Sequence, residues 1–303
     1  MKDNYNLSII IPCFNEEKNI DELIERLNKT LKQLKNIVYE LIFIDDGSTD
    51  KTYSKLSKKV DHDNKIKIIK LSRNFGSHIS ISAGLDHVSE PDCCIIIPAD
   101  LQEPPEKIPE MIKKWSQNNE IVWAIRKKRK QNVISKLFSK IFYFIFIKST
   151  GFKNYPKEGP SGFFLIDKKI VKNWKNFKEK NRMILGMIAW MGFSQSKIYY
   201  NQSIRKNGIS GFNFFSLLKL AIDSIISFSY VPIRLVSILG IITSLVGFFY
   251  SFYLIFSYFF LLKPILGWTS IMVVVLILGG LQLVTLGILG EYIWRGLDES
   301  RDR

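Results

Sequence analysis

Two side chains that can serve a metal ion, Asp100 and Gln102, stand one residue apart just after the apolar run Ile95-Ile-Ile-Pro98-Ala. A carboxylate in such a loop can hold a hard divalent cation against a phosphate, because these ions take oxygen ligands and leave positions for substrate oxygens. Two further loops repeat the layout of apolar run, polar turn and helical pattern. One follows Leu7-Ser-Ile-Ile-Ile-Pro12-Cys-Phe14 and carries Asn15, Glu16 and Glu17. The other follows Leu41-Ile-Phe-Ile and opens with Asp45-Asp46-Gly-Ser-Thr-Asp50, whose carboxylates can accept hydrogen bonds from a base or a ribose. A lone Asp-Asp-Gly-Ser turn is common and means little. Three such loops at one sheet edge mean more, since ligands of open α/β sheets sit beyond the carboxyl ends of the strands. The residue types imply an enzyme that handles a nucleotide.

These loops need a sheet to position them. Runs rich in Ile, Leu and Val predict strands over 7–12, 39–44, 66–71, 93–98 and 120–124, with helical patterns over 16–35, 50–60, 77–87 and 105–118. Strands alternating with helices imply βαβ units and a mostly parallel sheet. Asp50 and Ser77 are the expected N-caps, and Pro104 and Pro105 suit a helix entry, where a missing amide proton does no harm.

The rest of the chain points to a bilayer. At 303 residues and 47% hydrophobic it exceeds one α/β domain, and residues 235–262 and 265–290 contain no charge. Each run is longer than the roughly 20 residues a helix needs to cross a membrane. Only Lys263 and Pro264 separate them, which predicts a tight hairpin. Arg234 before the first span, Arg295, Arg301 and Arg303 after the second, and a net charge of +15 place both termini on the cytoplasmic side. Residues 1–6 are polar, so no cleavable signal is expected. Cys13, Cys93 and Cys94 are odd in number, two of them adjacent in an apolar stretch, which reads as reduced core thiols. His62, His78 and His87 lack a spacing with Cys that suits zinc.

From 121 to 157 no acidic residue occurs, and Val133, Ile134, Leu137, Phe138, Ile141, Phe142 and Ile145 recur at helical spacing. That predicts an interfacial amphipathic helix over 132–148, with an ordinary surface helix as the plainer reading. Nucleic acid is not the expected partner of these cations, because the spans already provide an anionic lipid surface. The expected organisation is a catalytic domain over 1–210, a juxtamembrane amphipathic helix over 211–230, a two-helix hairpin over 231–295 and a tail over 296–303.

Taken together, the motifs Pro12-Cys-Phe14-Asn15-Glu16, Asp45-Asp46-Gly, Leu71-Ser-Arg73-Asn74-Phe-Gly76, Asp100-Leu-Gln102 and Gly290-Glu291-Tyr-Ile-Trp-Arg295 resemble those of the family 2 glycosyltransferases. The closer resemblance, from Leu7 to about Arg295, is to the polyprenyl-phosphate subgroup of the dolichyl-phosphate mannose synthase and bactoprenol glucosyltransferase type. It implies a GT-A fold, Rossmann-like, and inverting sugar transfer from a nucleotide-diphosphate sugar to polyprenyl (undecaprenyl) phosphate at the cytoplasmic face of the plasma membrane. It also implies that Pro12, Phe14, Glu16 and Asp45 contact the nucleotide, with Asp46 beside them and Arg73 near the diphosphate. Asp100 and Gln102 would bind Mg2+ or Mn2+.

The chain departs from the family pattern twice. Pro98 replaces one carboxylate of an Asp-x-Asp pair, and Gly162-Phe-Phe164 stands where an Asp, the presumed base, and an Arg are usual. A phosphate acceptor needs no strong base, since its second pKa near 6 leaves it largely a dianion at neutral pH. Arg205 and Lys206 match the family's basic loop and are the expected partners of the acceptor phosphate, with Arg182 assisting, although Gly211 replaces a Lys. Gly279, Gly280, Gly287 and Gly290 would allow close packing in a homo-oligomer. A transferase with another membrane-associated acceptor, and a silent nucleotide-binding scaffold, are the rival readings. The Gln-x-x-Arg-Trp signature of processive polysaccharide synthases is missing.

Overall fold

The computed structural model describes residues 4–127, 146–148, 150, 155–156, 159–177, 183–203, 231–260 and 267–300. The expected juxtamembrane helix over 211–230, most of the interfacial helix over 132–148, Arg182, Arg205, Lys206 and the Lys263-Pro264 turn lie outside these residues. By packing the chain divides into two units, Met1–Ala221 and Ile222–Arg303.

In the first unit, strands and helices alternate as the sequence pattern requires: β1 (Tyr5–Cys13), α1 (Ile20–Leu31), β2 (Ile37–Asp45), α2 (Thr52–Val60), β3 (Ile66–Lys70), α3 (Ser77–Asp86) and β4 (Cys93–Ile96). A 3-10 turn, Pro105–Lys107, then leads into α4 (Ile108–Trp115) and β5 (Ile121–Arg126). Later in the chain come β6 (Phe164–Asp167), α5 (Lys168–Trp174), α6 (Ile184–Trp190) and β7 (Gln195–Tyr200). The sheet order is β3-β2-β1-β4-β6-β5-β7. Among the described strands, only β6 runs against its neighbours.

The central strands are continuous apolar runs because helices cover both of their faces. Ile9, Ile10 and Ile11 of β1, Phe43 and Ile44 of β2, and all four residues of β4 are fully buried. Helix α1 turns Ile20, Leu23, Ile24, Leu27 and Leu31 onto this sheet at the spacing of one helical face. Helix α3 approaches more closely still: a Cβ on Gly84 would lie 2.5 Å from Cγ2 of Ile10 and 2.9 Å from Cδ1 of Ile44. Cys13, Cys93 and Cys94 are buried free thiols.

The topology opens one crevice. Strands β2 and β3 are added on one side of β1, and β4 on the other, so the direction of winding reverses between β1 and β4. Ladder pairing between these two strands covers only Leu7 to Ile10, closing with Ile97 N donating to Ile10 O at 3.0 Å. Pro12 has no amide proton to extend a ladder. Beyond it the chains part, and their loops flank the reversal point where ligands of such sheets bind.

The second unit holds two long helices, α7 (Val231–Phe260) and α8 (Trp268–Ser300). Within them the stretches Ile233–Tyr250 and Ile277–Trp294 are apolar and long enough to cross a membrane. Many large apolar side chains here, Phe248, Phe249, Leu283 and Val284 among them, are more than half exposed. Ser237, Thr243 and Thr285 return their hydroxyls to backbone carbonyls one turn earlier. Such self-satisfied hydroxyls and outward apolar side chains suit helices whose solvent is lipid.

Candidate active site at the carboxyl edge of the sheet

The register sets Cys13 beside Asp45 and Asp45 beside Lys70, so the loops leaving β1, β2 and β3 start level with one another. Hydrogen bonds then lace them together. Asn15, at φ 56, donates its amide to Ser48 Oγ at 3.0 Å, and its side-chain carbonyl accepts from Thr49 N at 2.8 Å. Glu16 N donates to Thr52 Oγ1 at 2.9 Å, and Lys51 N to Glu17 Oε2 at 3.0 Å. Asp50 Oδ1 accepts from Thr52 N at 2.9 Å, but the N-cap of α2 is Lys51, not the expected Asp50, because Asp50 closes a local turn one residue too early to cap the helix. This lacing delays α1: its pattern begins near Glu16, yet its first residue is Ile20, because 15–17 serve the neighbouring loop instead.

Asp46 anchors the third loop. Its Oδ1 accepts from Phe75 N at 2.8 Å and its Oδ2 from Gly76 N at 2.9 Å. Both oxygens thus hold backbone at the entry to α3, where Gly76, at φ 91, takes the N-cap position expected of Ser77. Ser77 is displaced because a carboxylate from a neighbouring loop reaches the amides first. Gly47, at φ 70, allows the approach: a Cβ there would meet the Arg73 carbonyl carbon at 2.5 Å. Arg73 is exposed, its guanidinium 4.7 Å from the centre of the Phe75 ring.

Asp45 is fully buried; its Oδ1 accepts from Ser48 N at 3.0 Å, while Oδ2 has no hydrogen-bond partner among the described residues. An unpartnered buried carboxylate oxygen is costly and calls for a donor from elsewhere. Glu16 is also buried, its carboxylate held by the Asn19 side-chain amide. Burial first, and then the charges of Asp45, Glu16, Asp46 and Asp50, push the Cys13 thiol well above its usual range, so four carboxylates converge on this strand end. Pro12 is half-buried here, and Phe14, 40% exposed, stands at the rim.

On the other side of the crevice, Asp100 is half-buried and its Oδ1 accepts from Gln102 N at 3.2 Å in a turn whose Leu101 adopts φ 59. Gln102 Oε1 accepts from Gln202 Nε2 at 2.7 Å, and Gln102 O from Ser203 N at 3.1 Å. No group of three or more His, Cys, Asp or Glu side chains suited to a metal occurs among the described residues. Asp100 Oδ2 accepts no hydrogen bond among them, so one carboxylate oxygen, with a second lone pair on Gln102, is what this loop offers. That donor set fits a cation that arrives with its phosphates, since Mg2+ commonly uses one or two carboxylates plus substrate oxygens.

The two departures from the family pattern meet in space. A Cβ on Gly162 would lie 3.3 Å from Cγ of Pro98, so the pyrrolidine ring fills the room where acidic side chains are usual. Phe164 is fully buried on β6, packed 5.4 Å from Trp123 between ring centres.

One group that the sequence motifs did not mark lies directly behind Asp100. Glu103 is 1% exposed, and its Oε1 accepts from Arg126 Nη2 at 2.8 Å and from Tyr200 Oη at 2.9 Å. Arg126 Nε also donates to Tyr200 Oη at 3.1 Å. Burial, reinforced by the charge of Asp100 and opposed by Arg126, raises the Glu103 carboxyl above its usual range. Burial and the Glu103 charge push the Tyr200 phenol up to about 12. The inward alternation of Ile198 and Tyr200 along β7 was the available signal for Tyr200.

The family model described as Glycosyl transferase family 2 matches residues 8–175. An uncharacterized glycosyltransferase of Synechocystis sp. is 40% identical over 98% of this chain and 92% of its own length. A bactoprenol glucosyl transferase of Shigella phage SfV is 34% identical over 98% of this chain and 96% of its own. Among solved structures, that of a mycobacterial protein superposes with a TM-score of 0.53 at 15% identity, covering 74% of this chain and 75% of that one. Mannosyl-3-phosphoglycerate synthase from Rubrobacter xylanophilus gives a TM-score of 0.50 at 12% identity, covering 73% and 72%. These two likenesses concern the fold alone.

Proposed function

The chain belongs to glycosyl transferase family 2 and is a glycosyltransferase, and from that premise we propose that it transfers a sugar from a nucleotide-diphosphate donor to a polyprenyl phosphate, with inversion, at the cytoplasmic face of the membrane. The observation that carries this reading is the match, nearly end to end and through both apolar helices, to proteins named bactoprenol glucosyl transferase. A lipid acceptor also accounts for a catalytic domain joined to two helices fit for a bilayer.

In this reading the nucleoside lies over the ends of β1 and β2, where Asp45 Oδ2, without a partner among the described residues, accepts a hydrogen bond from it. Arg73 supports the diphosphate. Asp100, with Gln102, would hold Mg2+ or Mn2+; bound there, the ion would neutralise charge on the departing nucleotide. Arg205 and Lys206 would pair with the acceptor phosphate. A phosphate oxygen forms the new bond to the anomeric carbon as the bond to the diphosphate breaks, and the electron pair leaves with the nucleotide. Back-side displacement inverts that carbon through an oxocarbenium-like transition state. Gly162 offers no side chain to act as base. None is needed, because a nucleophile that is already ionised asks only for positioning and charge stabilisation.

The organisation we assign is catalytic domain over 1–210, juxtamembrane helix over 211–230, hairpin over 231–295 and cytoplasmic tail over 296–303. The test is direct: purified protein, radiolabelled UDP- and GDP-sugars and undecaprenyl phosphate, followed by solvent extraction with and without chelator. A chelator-sensitive labelled lipid supports the reading. No labelled lipid from any donor would refute it.

A further inference from the structure

The group of buried Glu103, buried Tyr200 and half-buried Arg126 joins segments that are far apart in sequence and that all border the site. Glu103 follows the Asp100–Gln102 turn, Arg126 ends β5, and Tyr200 ends β7. A second set of links runs parallel to it: Gln202 Nε2 to Gln102 Oε1 at 2.7 Å and Ser203 N to Gln102 O at 3.1 Å. Ser161, beside Gly162, is buried and donates to Ala124 O at 3.1 Å, which fixes the Pro98-facing loop to the same strand β5. Two residues after Ser203 the sequence reaches Arg205 and Lys206.

We propose that Glu103, Arg126 and Tyr200 are positioning residues: a clamp that holds the Asp100–Gln102 turn in register with the chain leaving β7, so that the donor diphosphate and the acceptor phosphate meet at one point. The proposal rests on the transferase reading above and adds the residues that align its two substrates. Glu103 does not itself touch them. Its Oε1 is occupied twice and the residue is 1% exposed, which leaves no path for a substrate proton. Its charge is matched by Arg126, and a buried carboxylate with a bonded guanidinium is held far more rigidly than a solvated turn. Without that partner, a second negative charge beside Asp100 would compete for the same cation. Full satisfaction of the group therefore keeps Asp100 the one available carboxylate on this turn.

The test uses the full-length protein in detergent, with Tyr200→Phe, Glu103→Ala and Glu103→Gln. Gln keeps an oxygen that can accept from both Tyr200 and Arg126, and Phe removes one hydroxyl without changing shape. Tyr200→Phe should lower kcat about tenfold or more while the donor KM rises less than about threefold, since alignment is lost much more than metal-assisted binding. Glu103→Ala should lose at least as much, and Glu103→Gln should recover to within about threefold of the parent with an unshifted pH profile. A Glu103→Gln variant as impaired as Glu103→Ala would show that the charge itself does chemistry or binds metal. Parent kcat in Tyr200→Phe would show that the clamp aligns nothing. If the parent makes no lipid product, the transferase reading has failed, and the clamp is judged separately by calorimetry with UDP or GDP. The gain in nucleotide affinity on adding Mn2+ should then shrink in Tyr200→Phe, with affinity in chelator unchanged. An equal gain in parent and variant overturns the clamp.

Discussion

In the proposed reaction Asp100 is the carboxylate that would hold the cation, because the other carboxylate on its turn, Glu103, is engaged by Arg126 and Tyr200. We therefore expect Asp100→Asn to lower transfer by about a hundredfold or more, a barrier increase of about 2.7 kcal/mol. Pro98 stands where a second carboxylate would help hold the ion, and Gly162 opposite it leaves room for one. Pro98→Asp should then tighten Mn2+ binding to the nucleotide-free protein, measured by calorimetry, without being needed for turnover. Full activity of Asp100→Asn in chelator would remove the metal from this loop. Gly47 makes a different kind of demand. With φ 70 and backbone 2.5 Å from where a Cβ would sit, Gly47→Ala must push the 71–76 loop off Asp46. A loss of about 2 kcal/mol or more is expected from strain and clash combined, seen as a thermal midpoint several degrees lower together with weaker nucleotide binding. An unchanged midpoint would mean that the two loops are not rigidly coupled.

At the scale of elements, the far edge of the sheet depends on a surface cluster at the starts of β5 and β7. Glu120 accepts from the Ser194 hydroxyl and from Ser194 N at 3.0 Å, and pairs with Lys169 at 3.0 Å. The Ser194 hydroxyl first, and Lys169 next, lower the Glu120 carboxyl from 4.5 to about 2. A depressed carboxylate stabilises the fold above its unfolded pKa and loses that contribution as pH falls through the folded value. Glu120→Gln should thus cost a degree or two in thermal midpoint at neutral pH, the pair being largely solvated, and the gap to the parent should close as pH falls from about 4.5 toward about 2. A gap independent of pH would assign the effect to packing.

Strands β1 to β5 and the helices between them were legible in the sequence because long apolar runs and one-face periodicity dominate there. Strand β6 was not: Phe164-Leu-Ile-Asp is four residues long, runs antiparallel, and follows a Gly-Pro-Ser-Gly stretch that reads as loop. Strand β7 was missed because Lys197 and Tyr199 are exposed and Ser196 is polar on the face that Ile198 and Tyr200 bury, so only two apolar residues carry the inward pattern. The candidate site divides in the same way. Asp45, Asp100 and Glu16 stand out as acids at strand ends, whereas the roles of Asp46 and Glu103 depend on amides and side chains brought in from elsewhere in the chain, which no local spacing announces.

For the molecule as a whole, two helices of 30 and 33 residues follow a sheet domain whose ligand crevice opens at one edge. The cationic flanks Arg234 and Arg295 predict that both termini face the cytoplasm. A cysteine engineered after Arg303 should resist an impermeant thiol reagent in intact cells and react once the membrane is opened. Labelling from outside would reverse the hairpin. Transfer of a sugar onto a lipid phosphate is the activity proposed for these parts together. The measurement that tests it most directly incubates the purified chain with radiolabelled UDP- or GDP-sugars and undecaprenyl phosphate, then counts label in the lipid extract beside the Asp100→Asn variant. Label should appear in the lipid with one donor, and both chelator and the variant should abolish it. Nucleotide binding without label in the lipid from any donor would contradict the proposed transfer.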